Sequence, residues 1–163
     1  MLEVLYGCGL RRGELLGLNV GDVNFIEQTL FVDKGKGGKD RLLPIHHAAL
    51  TAISEYLATR GGRPKKRSPL FVIHQSETAG KRMSRADLEA VFRGLNKRSQ
   101  KHIYPHLFRH TFACHLLQNG ADLRYVQALL GHESPDTTSR YLGLCKADLK
   151  KEYDRAVEVI LGR

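Results

Sequence analysis

Residues 105–141 read PHLFRHTFACHLLQNGADLRYVQALLGHESPDTTSRY, and the fold that we predict is built around them. Apolar side chains recur there at spacings of three or four, which is the period of a helix with one buried face. Asn119-Gly120 interrupts the pattern with residues that are typical of a helix end. The stretch therefore predicts two helices, one that begins at Pro105 and one over residues 123–130 that Asp122 caps.

Two polar side chains near the start of the first helix indicate an anion site. His106 and Arg109 are three residues apart, so both lie on one face of a helix. Pro105 is typical of a first helical position, where unpaired backbone N–H groups and the helix dipole favour anions. A guanidinium group donates two parallel hydrogen bonds and does not lose its charge. These features predict that a phosphate binds beside this helix start.

A second polar cluster follows the second helix. It reads Leu130-Gly131-His132, and the pair Thr137-Thr138 precedes Tyr141, which comes nine residues after the histidine. Together with HLFRH at residues 106–110, the run LLGHESPDTTSRY resembles the catalytic half of the tyrosine recombinases, also called phage integrases, and above all the Xer-type recombinases of bacteria. The resemblance implies their catalytic-domain fold, which is α+β: mainly helical, with a small antiparallel β hairpin or sheet.

The same resemblance extends to the N-terminal part of the chain. Gly9-Leu10-Arg11 and Glu14-Leu15 match the family motif G-L-R-x-x-E-L, which places the first catalytic arginine at Arg11 and a supporting acidic residue at Glu14. Two interpretations of this pair stay open. Arg11 and Glu14 either form an ordinary surface ion pair three residues apart on a helix, or Glu14 orients a catalytic arginine.

A basic, glycine-rich turn between two β-rich runs predicts a hairpin. Residues 29–32 and 41–45 flank the turn KGKGGK at 34–39, in which glycines permit positive φ angles. The family motif G-K-G-x-K-x-R matches here and implies that Lys36 is the catalytic lysine. The alternative is a solvated hairpin tip, which is often rich in lysine. We also predict three DNA contacts from this region: Lys34, Lys39 and Arg41.

The resemblance implies that DNA strands are cut and rejoined by six residues: Arg11, Lys36, His106, Arg109, His132 and Tyr141. A tyrosine phenol has a reference pKa of about 10, so Tyr141 needs a base and a positive field to attack a phosphate. His106 would be that base, and Lys36 would protonate the leaving 5′ oxygen. A 3′-phosphotyrosyl ester keeps the bond energy, so we expect neither a metal nor another cofactor.

Several of these side chains have a second interpretation. His106, His110 and Cys114 lie at i, i+4 and i+8, the spacing of a metal-binding helix face, but no nearby carboxylate or second cysteine completes the set. His110 is therefore interpreted as structural. Taken alone, His132 would be a helix C-cap histidine and Tyr141 a core tyrosine; the motif around them favours the catalytic interpretation.

Composition favours a nucleic-acid partner. The 163 residues include 26 Lys and Arg against 17 Asp and Glu, a formal charge of +9 that suits double-stranded DNA. Tryptophan is absent, so a stacking platform for single strands is not indicated. Three widely spaced cysteines predict no disulfide and a cytoplasmic location, and the sequence shows neither an apolar span of membrane length nor a signal peptide.

Amphipathic patterns predict further helices over residues 46–60, 85–95 and 146–161. The resemblance implies that a terminal helix like the last of these docks on a neighbouring protomer on DNA; packing on its own core is the alternative. We predict a single catalytic domain over residues 1–163. Its apolar start has no capping residue, so we expect the first helix to be truncated and the family's separate N-terminal core-binding domain to be absent.

Three functions are compatible with these observations. The first is a site-specific recombinase or integrase. The second is a DNA-binding remnant of a recombinase that does not complete strand exchange. The third is an enzyme like the type IB topoisomerases, which share the tyrosine chemistry, but the Xer-like motifs and the small size of the chain disfavour it.

Overall fold

The structure, a computed structural model, describes residues 1–33, 40–74 and 77–131. The helices and strands within these ranges are α1 (Leu2–Cys8), α2 (Arg12–Gly17), β1 (Val23–Asn24), β2 (Thr29–Val32), β3 (Arg41–Pro44), α3 (His47–Thr59), α4 (Arg85–Ser99), α5 (Pro105–Gln118) and α6 (Leu123–Leu130). The predicted α+β class, mainly helical with a small antiparallel sheet, is confirmed. The predicted helix over residues 146–161 lies outside the described residues. None of the helices in the described ranges is long and apolar enough to cross a membrane.

The sheet has three antiparallel strands in the order β1-β2-β3. β2 and β3 pair Phe31 with Leu42 and Val32 with Arg41, so they form the predicted hairpin on either side of residues 34–39. β1 has only two residues, which is too short for a period-two pattern to show in the sequence.

α4 is longer than its sequence pattern predicts. The pattern predicts a helix over residues 85–95, but α4 continues to Ser99 and ends at Gln100, which has a left-handed φ of 54°. The side chain of Asn96 then accepts a hydrogen bond from the N–H of Ile103 at 2.7 Å and donates one to its carbonyl oxygen at 3.0 Å. These two bonds fix the short connection that leads into α5.

α1 lies in the centre of the hydrophobic core, where it packs against α3 and α5. Its residues Val4 and Leu5 are fully buried, and so is Leu10 just beyond its end. Gly9 ends α1 with a φ of 57°, and a Cβ added there would overlap Cδ1 of Phe112. Only glycine allows this close, left-handed turn, which leads directly into α2.

A second, smaller apolar cluster joins α5 to α6. Its buried members come from both helices: Ala113, Cys114, Val126 and Leu130. Cys114 thus packs against apolar side chains of α6. The cluster holds α6 so that its C-terminal end approaches the turn between α1 and α2.

Candidate active site

The buried carboxylate of Glu14 lies at the centre of a group of arginines. Its side chain is only 5 % exposed. Arg41 donates to both oxygens, from Nη1 to Oε1 and from Nη2 to Oε2, at 2.9 Å each. Arg11 donates from Nη1 to Oε1 at 3.0 Å and from its backbone N–H to Oε2 at 2.7 Å. Nη1 of Arg109 lies 4.0 Å from Oε2, so three guanidinium groups converge on one carboxylate.

The same three arginines hold the C-terminal end of α6. The last carbonyl groups of a helix have no partner within it and carry a partial negative charge. Each arginine donates to one of three consecutive carbonyl oxygens: Arg41 Nε to Leu129 at 2.9 Å, Arg109 Nη2 to Leu130 at 2.7 Å and Arg11 Nη2 to Gly131 at 3.2 Å. The end of α6 is therefore fixed against Glu14 by three charged hydrogen bonds.

The three guanidinium groups differ in exposure. The side chain of Arg109 is 3 % exposed, and its Nη1 also donates to the carbonyl oxygen of Gly9 at 2.7 Å. The side chain of Arg11, in contrast, is 43 % exposed. The cluster thus combines a buried, oriented cation with one that solvent and a solute can reach.

Glu14 stays ionised although it is buried. Burial alone would raise the pKa of its carboxyl group, but hydrogen bonds from Arg41 and from the backbone of Arg11, and the charges of Arg41 and Arg109, lower it from 4.5 to about 2. One negative charge therefore faces three positive charges. The net positive charge of this site suits an anion.

We expect acid to weaken the fold through Glu14. A carboxyl group with a lowered folded-state pKa stabilises the fold fully above the unfolded value of 4.5, and this contribution is lost as the pH falls towards 2. Glu14→Gln lacks this titration. The difference in free energy of unfolding between wild type and variant should therefore shrink by roughly 2–3 kcal/mol from about pH 6 to about pH 2. Urea unfolding at a series of pH values measures it, and a difference that is constant with pH would contradict the prediction.

α5 carries the predicted His106 and Arg109 in its first turns. Pro105 occupies its first position, as predicted. His106 is exposed, whereas Arg109, three residues on, is directed into the protein. Burial of the half-buried His110, followed by the charges of His106 and Arg109, lowers the pKa of the His110 imidazole. The neutral form of His110 is thus favoured within the field of the two predicted site residues.

The structure brings Arg11, Glu14 and Arg109 together, as the motifs predict. Arg11 and Glu14 do form an ion pair, but Glu14 is buried and shared with two further arginines, which an ordinary surface pair would not show. His106 and Arg41 are also among the described residues, whereas five predicted site residues lie outside them: Lys34, Lys36, Lys39, His132 and Tyr141. Their roles stay predictions.

The sequence interpretation missed the contacts of Arg41. Its donors are directed to Glu14 and to Leu129, and its side chain is 13 % exposed. Its DNA contact stays a prediction. One signal was present in β3. Leu43 and Ile45 are buried and alternate with exposed residues, so the period of two places Arg41 on the buried face.

Within residues 1–33, 40–74 and 77–131, no three His, Cys, Asp or Glu side chains form a group that could hold a metal ion. The helical series His106, His110 and Cys114 does not form a metal-binding group either. His106 is exposed, His110 is half-buried, and Cys114 lies in the apolar cluster between α5 and α6.

Comparison with known proteins identifies the family. The model of the phage integrase family matches residues 1–147. Tyrosine recombinase XerC of Pelobacter propionicus is 42 % identical over 156 residues, which cover 96 % of this chain and 50 % of that protein. The crystal structure of XerA recombinase is similar with a TM-score of 0.75 and 35 % identity, over 94 % of this chain and 54 % of that one.

A structure of the XerH site-specific recombinase, bound to a palindromic difH substrate in a post-cleavage complex, is also similar. Its TM-score is 0.69 at 29 % identity, over 92 % of this chain and 43 % of that one. The chain spans about half the length of the curated relatives it matches. The family match includes every arginine of the cluster around Glu14. The chain therefore belongs to the phage integrase family and has the fold of a tyrosine recombinase catalytic domain.

Proposed function

We propose that this chain cuts and rejoins double-stranded DNA as the catalytic domain of a site-specific recombinase. The observation that carries the proposal is the convergence of Arg11, Arg41 and Arg109 on Glu14, because three positive charges face one negative charge there. Arg11 is exposed enough to meet a phosphate. The formal charge of +9 supports a DNA partner, and the related XerH is bound to its difH substrate.

In the proposed reaction, the phenolic oxygen of Tyr141 attacks the scissile phosphorus while His106 accepts the phenol proton. The bond to the 5′ oxygen breaks, and Lys36 gives that oxygen a proton. The product is a 3′-phosphotyrosyl ester. The 5′-hydroxyl of another strand then attacks the ester and releases Tyr141, with the proton transfers reversed. Because the ester conserves the bond energy, the reaction needs no ATP.

The two catalytic arginines would hold the non-bridging oxygens and offset the charge that develops on them. Arg109 is suited to this role because the carbonyl groups of Gly9 and Leu130 already orient its guanidinium group. Donors that are oriented before the reaction stabilise a transition state without reorganisation at the moment of reaction. His132 is proposed to donate a hydrogen bond to the same phosphate.

Two further parts of the proposal concern partners. Lys34 and Lys39 are the proposed contacts of the hairpin with the DNA backbone. The predicted helix over residues 146–161 is proposed to dock on a second copy of the chain on DNA.

A nicked duplex tests the proposed function, because the short strand beyond the nick diffuses away after cleavage and traps the covalent intermediate. The wild-type chain, incubated with a panel of nicked duplexes that includes difH, should form an adduct that survives SDS. Binding without an adduct on any duplex would favour the DNA-binding remnant. Relaxation of supercoiled plasmid without strand exchange would favour an enzyme like the type IB topoisomerases.

Arg11→Ala should slow adduct formation on saturating DNA by about 10²–10³-fold, because it removes one of the two guanidinium groups proposed to bind the phosphate. Arg12→Ala is the matched control. Arg12 is the next residue, but its guanidinium group pairs with the exposed Glu89 at 3.0 Å, so its loss should leave the rate close to that of wild type. A single-turnover gel assay measures both rates, and equal rates for the two variants would contradict the assignment.

Affinity for duplex DNA should fall steeply as salt rises. A protein that neutralises many phosphates releases their counterions, and added salt opposes that release. We expect the dissociation constant to rise at least about 10²-fold between about 50 and 200 mM salt. Fluorescence anisotropy with a labelled duplex measures it, and an affinity that does not change with salt would argue against DNA as the partner.

A further inference from the structure

Arg41 directs its donors into the protein. Its side chain is 13 % exposed, against 43 % for Arg11. Nε donates to the carbonyl oxygen of Leu129, and Nη1 and Nη2 donate to the two oxygens of Glu14, each at 2.9 Å. A guanidinium group binds a carboxylate or a phosphate with the same pair of parallel donors. Arg41 presents that pair to a carboxylate.

Arg41 is also the principal counter-charge of Glu14. It contacts both carboxylate oxygens, whereas the guanidinium group of Arg11 reaches only one of them at 3.0 Å and that of Arg109 lies 4.0 Å away. Bidentate pairs of this kind are the strong ones. Arg41 thus contributes most to offsetting the charge of Glu14, and the three guanidinium groups together with the one carboxylate keep a net positive charge that attracts an anion.

The same side chain joins two elements that adjoin predicted catalytic residues in the sequence. Arg41 is the first residue of β3, and its pairing with Val32 is the position of the ladder nearest to residues 34–39. Its Nε holds Leu129, in the last turn of α6, three residues ahead of His132. One guanidinium group therefore fixes the base of the hairpin and the end of α6 relative to Glu14.

Gly131 leaves room for this guanidinium group. Its φ of 63° is left-handed, and a Cβ added there would lie 3.2 Å from Nη1 of Arg41. An alanine at this position would be strained and would press on Arg41. The glycine that ends α6 is thus also in close contact with the Arg41–Glu14 pair.

We propose that Arg41 is a positioning residue, which neutralises Glu14 and ties the base of the β2–β3 hairpin to the end of α6, so that Arg11 and Arg109 meet the DNA phosphate in a fixed geometry. This role rests on the proposed function and takes the place of a direct DNA contact by Arg41. It requires that loss of Arg41 slows the reaction more than it weakens binding.

Two substitutions of Arg41 distinguish a positioning role from a direct contact with DNA phosphate. Arg41→Lys keeps the charge but cannot form the bidentate pair, so the single-turnover rate on saturating DNA should fall about 10–100-fold. Arg41→Gln removes the charge, yet the slope of log affinity against log salt should stay that of wild type. A residue that contacts phosphate would instead lower that slope by about 1 and leave the rate at saturation near that of wild type.

Gly131→Ala gives an independent test, because it disturbs Arg41 without removing any charge. Its single-turnover rate should fall as in Arg41→Lys, and its salt slope should stay that of wild type. Circular dichroism checks that each variant is folded. Wild-type rates in both Arg41→Lys and Gly131→Ala would overturn the proposal. If the wild-type chain forms no adduct, the proposed function fails; the salt slope of Arg41→Gln then still decides, because a slope lowered by about 1 would overturn the positioning role and an unchanged slope would support it.

Discussion

Glu14→Ala should lower the free energy of unfolding by about 3–5 kcal/mol. The substitution leaves three guanidinium groups close together without the carboxylate they share, and two of them are largely buried. Like charges at this range repel, and buried charges without a counter-charge are costly. A typical domain is stabilised by roughly 5–15 kcal/mol, so a loss of this size is a large fraction of the total.

Glu89→Ala is the matched control for this prediction. Glu89 pairs with Arg12 at 3.0 Å, the same distance that separates Glu14 from Arg11, but its side chain is 50 % exposed against 5 %. Exposed pairs contribute less than about 1 kcal/mol. Urea unfolding at neutral pH measures both variants. A loss in Glu14→Ala no larger than that in Glu89→Ala would contradict the shared carboxylate as the centre of the cluster.

Local sequence patterns predicted most of the helices. The buried face of a helix shows as apolar residues at regular spacing, and its ends show as typical capping residues nearby in the sequence. α5 begins at Pro105, and α6 ends at the left-handed Gly131, as their sequences indicate. α4 continues beyond its predicted end because the left-handed residue that stops it is Gln100, which is not a typical terminator. The sequence therefore does not indicate where α4 ends.

The candidate site was predictable as a set of residues but not as a network. The family motifs place Arg11, Glu14 and Arg109 in one site, and these residues lie together. The bonds of Arg41 depend instead on contacts between residues 27 and 88 positions apart in the sequence. Such contacts follow from how the fold brings Arg41 of β3 close to Glu14 of α2 and to the end of α6, and a local pattern does not encode them.

Tyr141→Phe should abolish the covalent adduct with nicked DNA. The substitution removes the single oxygen that is proposed to bond to phosphorus and keeps the ring. Water in its place would release DNA without any bond to the protein, so the loss should be complete. Binding of intact duplex should stay near that of wild type, since it depends chiefly on contacts with phosphate charges.

Tyr125→Phe is the control for that variant. Tyr125 lies on α6, and 53 % of its surface is exposed. The Tyr125→Phe variant should form the adduct at the wild-type rate. Equal adduct yields from Tyr141→Phe and Tyr125→Phe would remove Tyr141 from the mechanism.

The most direct measurement is the identity of the amino acid that carries the DNA. The wild-type adduct is digested with nuclease and protease, and mass spectrometry locates the residue that retains a nucleotide. The chain has six tyrosines, and we expect the nucleotide on Tyr141 and on none of the other five. A nucleotide on a different residue, or DNA that is cut without ever becoming linked to the chain, would contradict the proposed tyrosine chemistry.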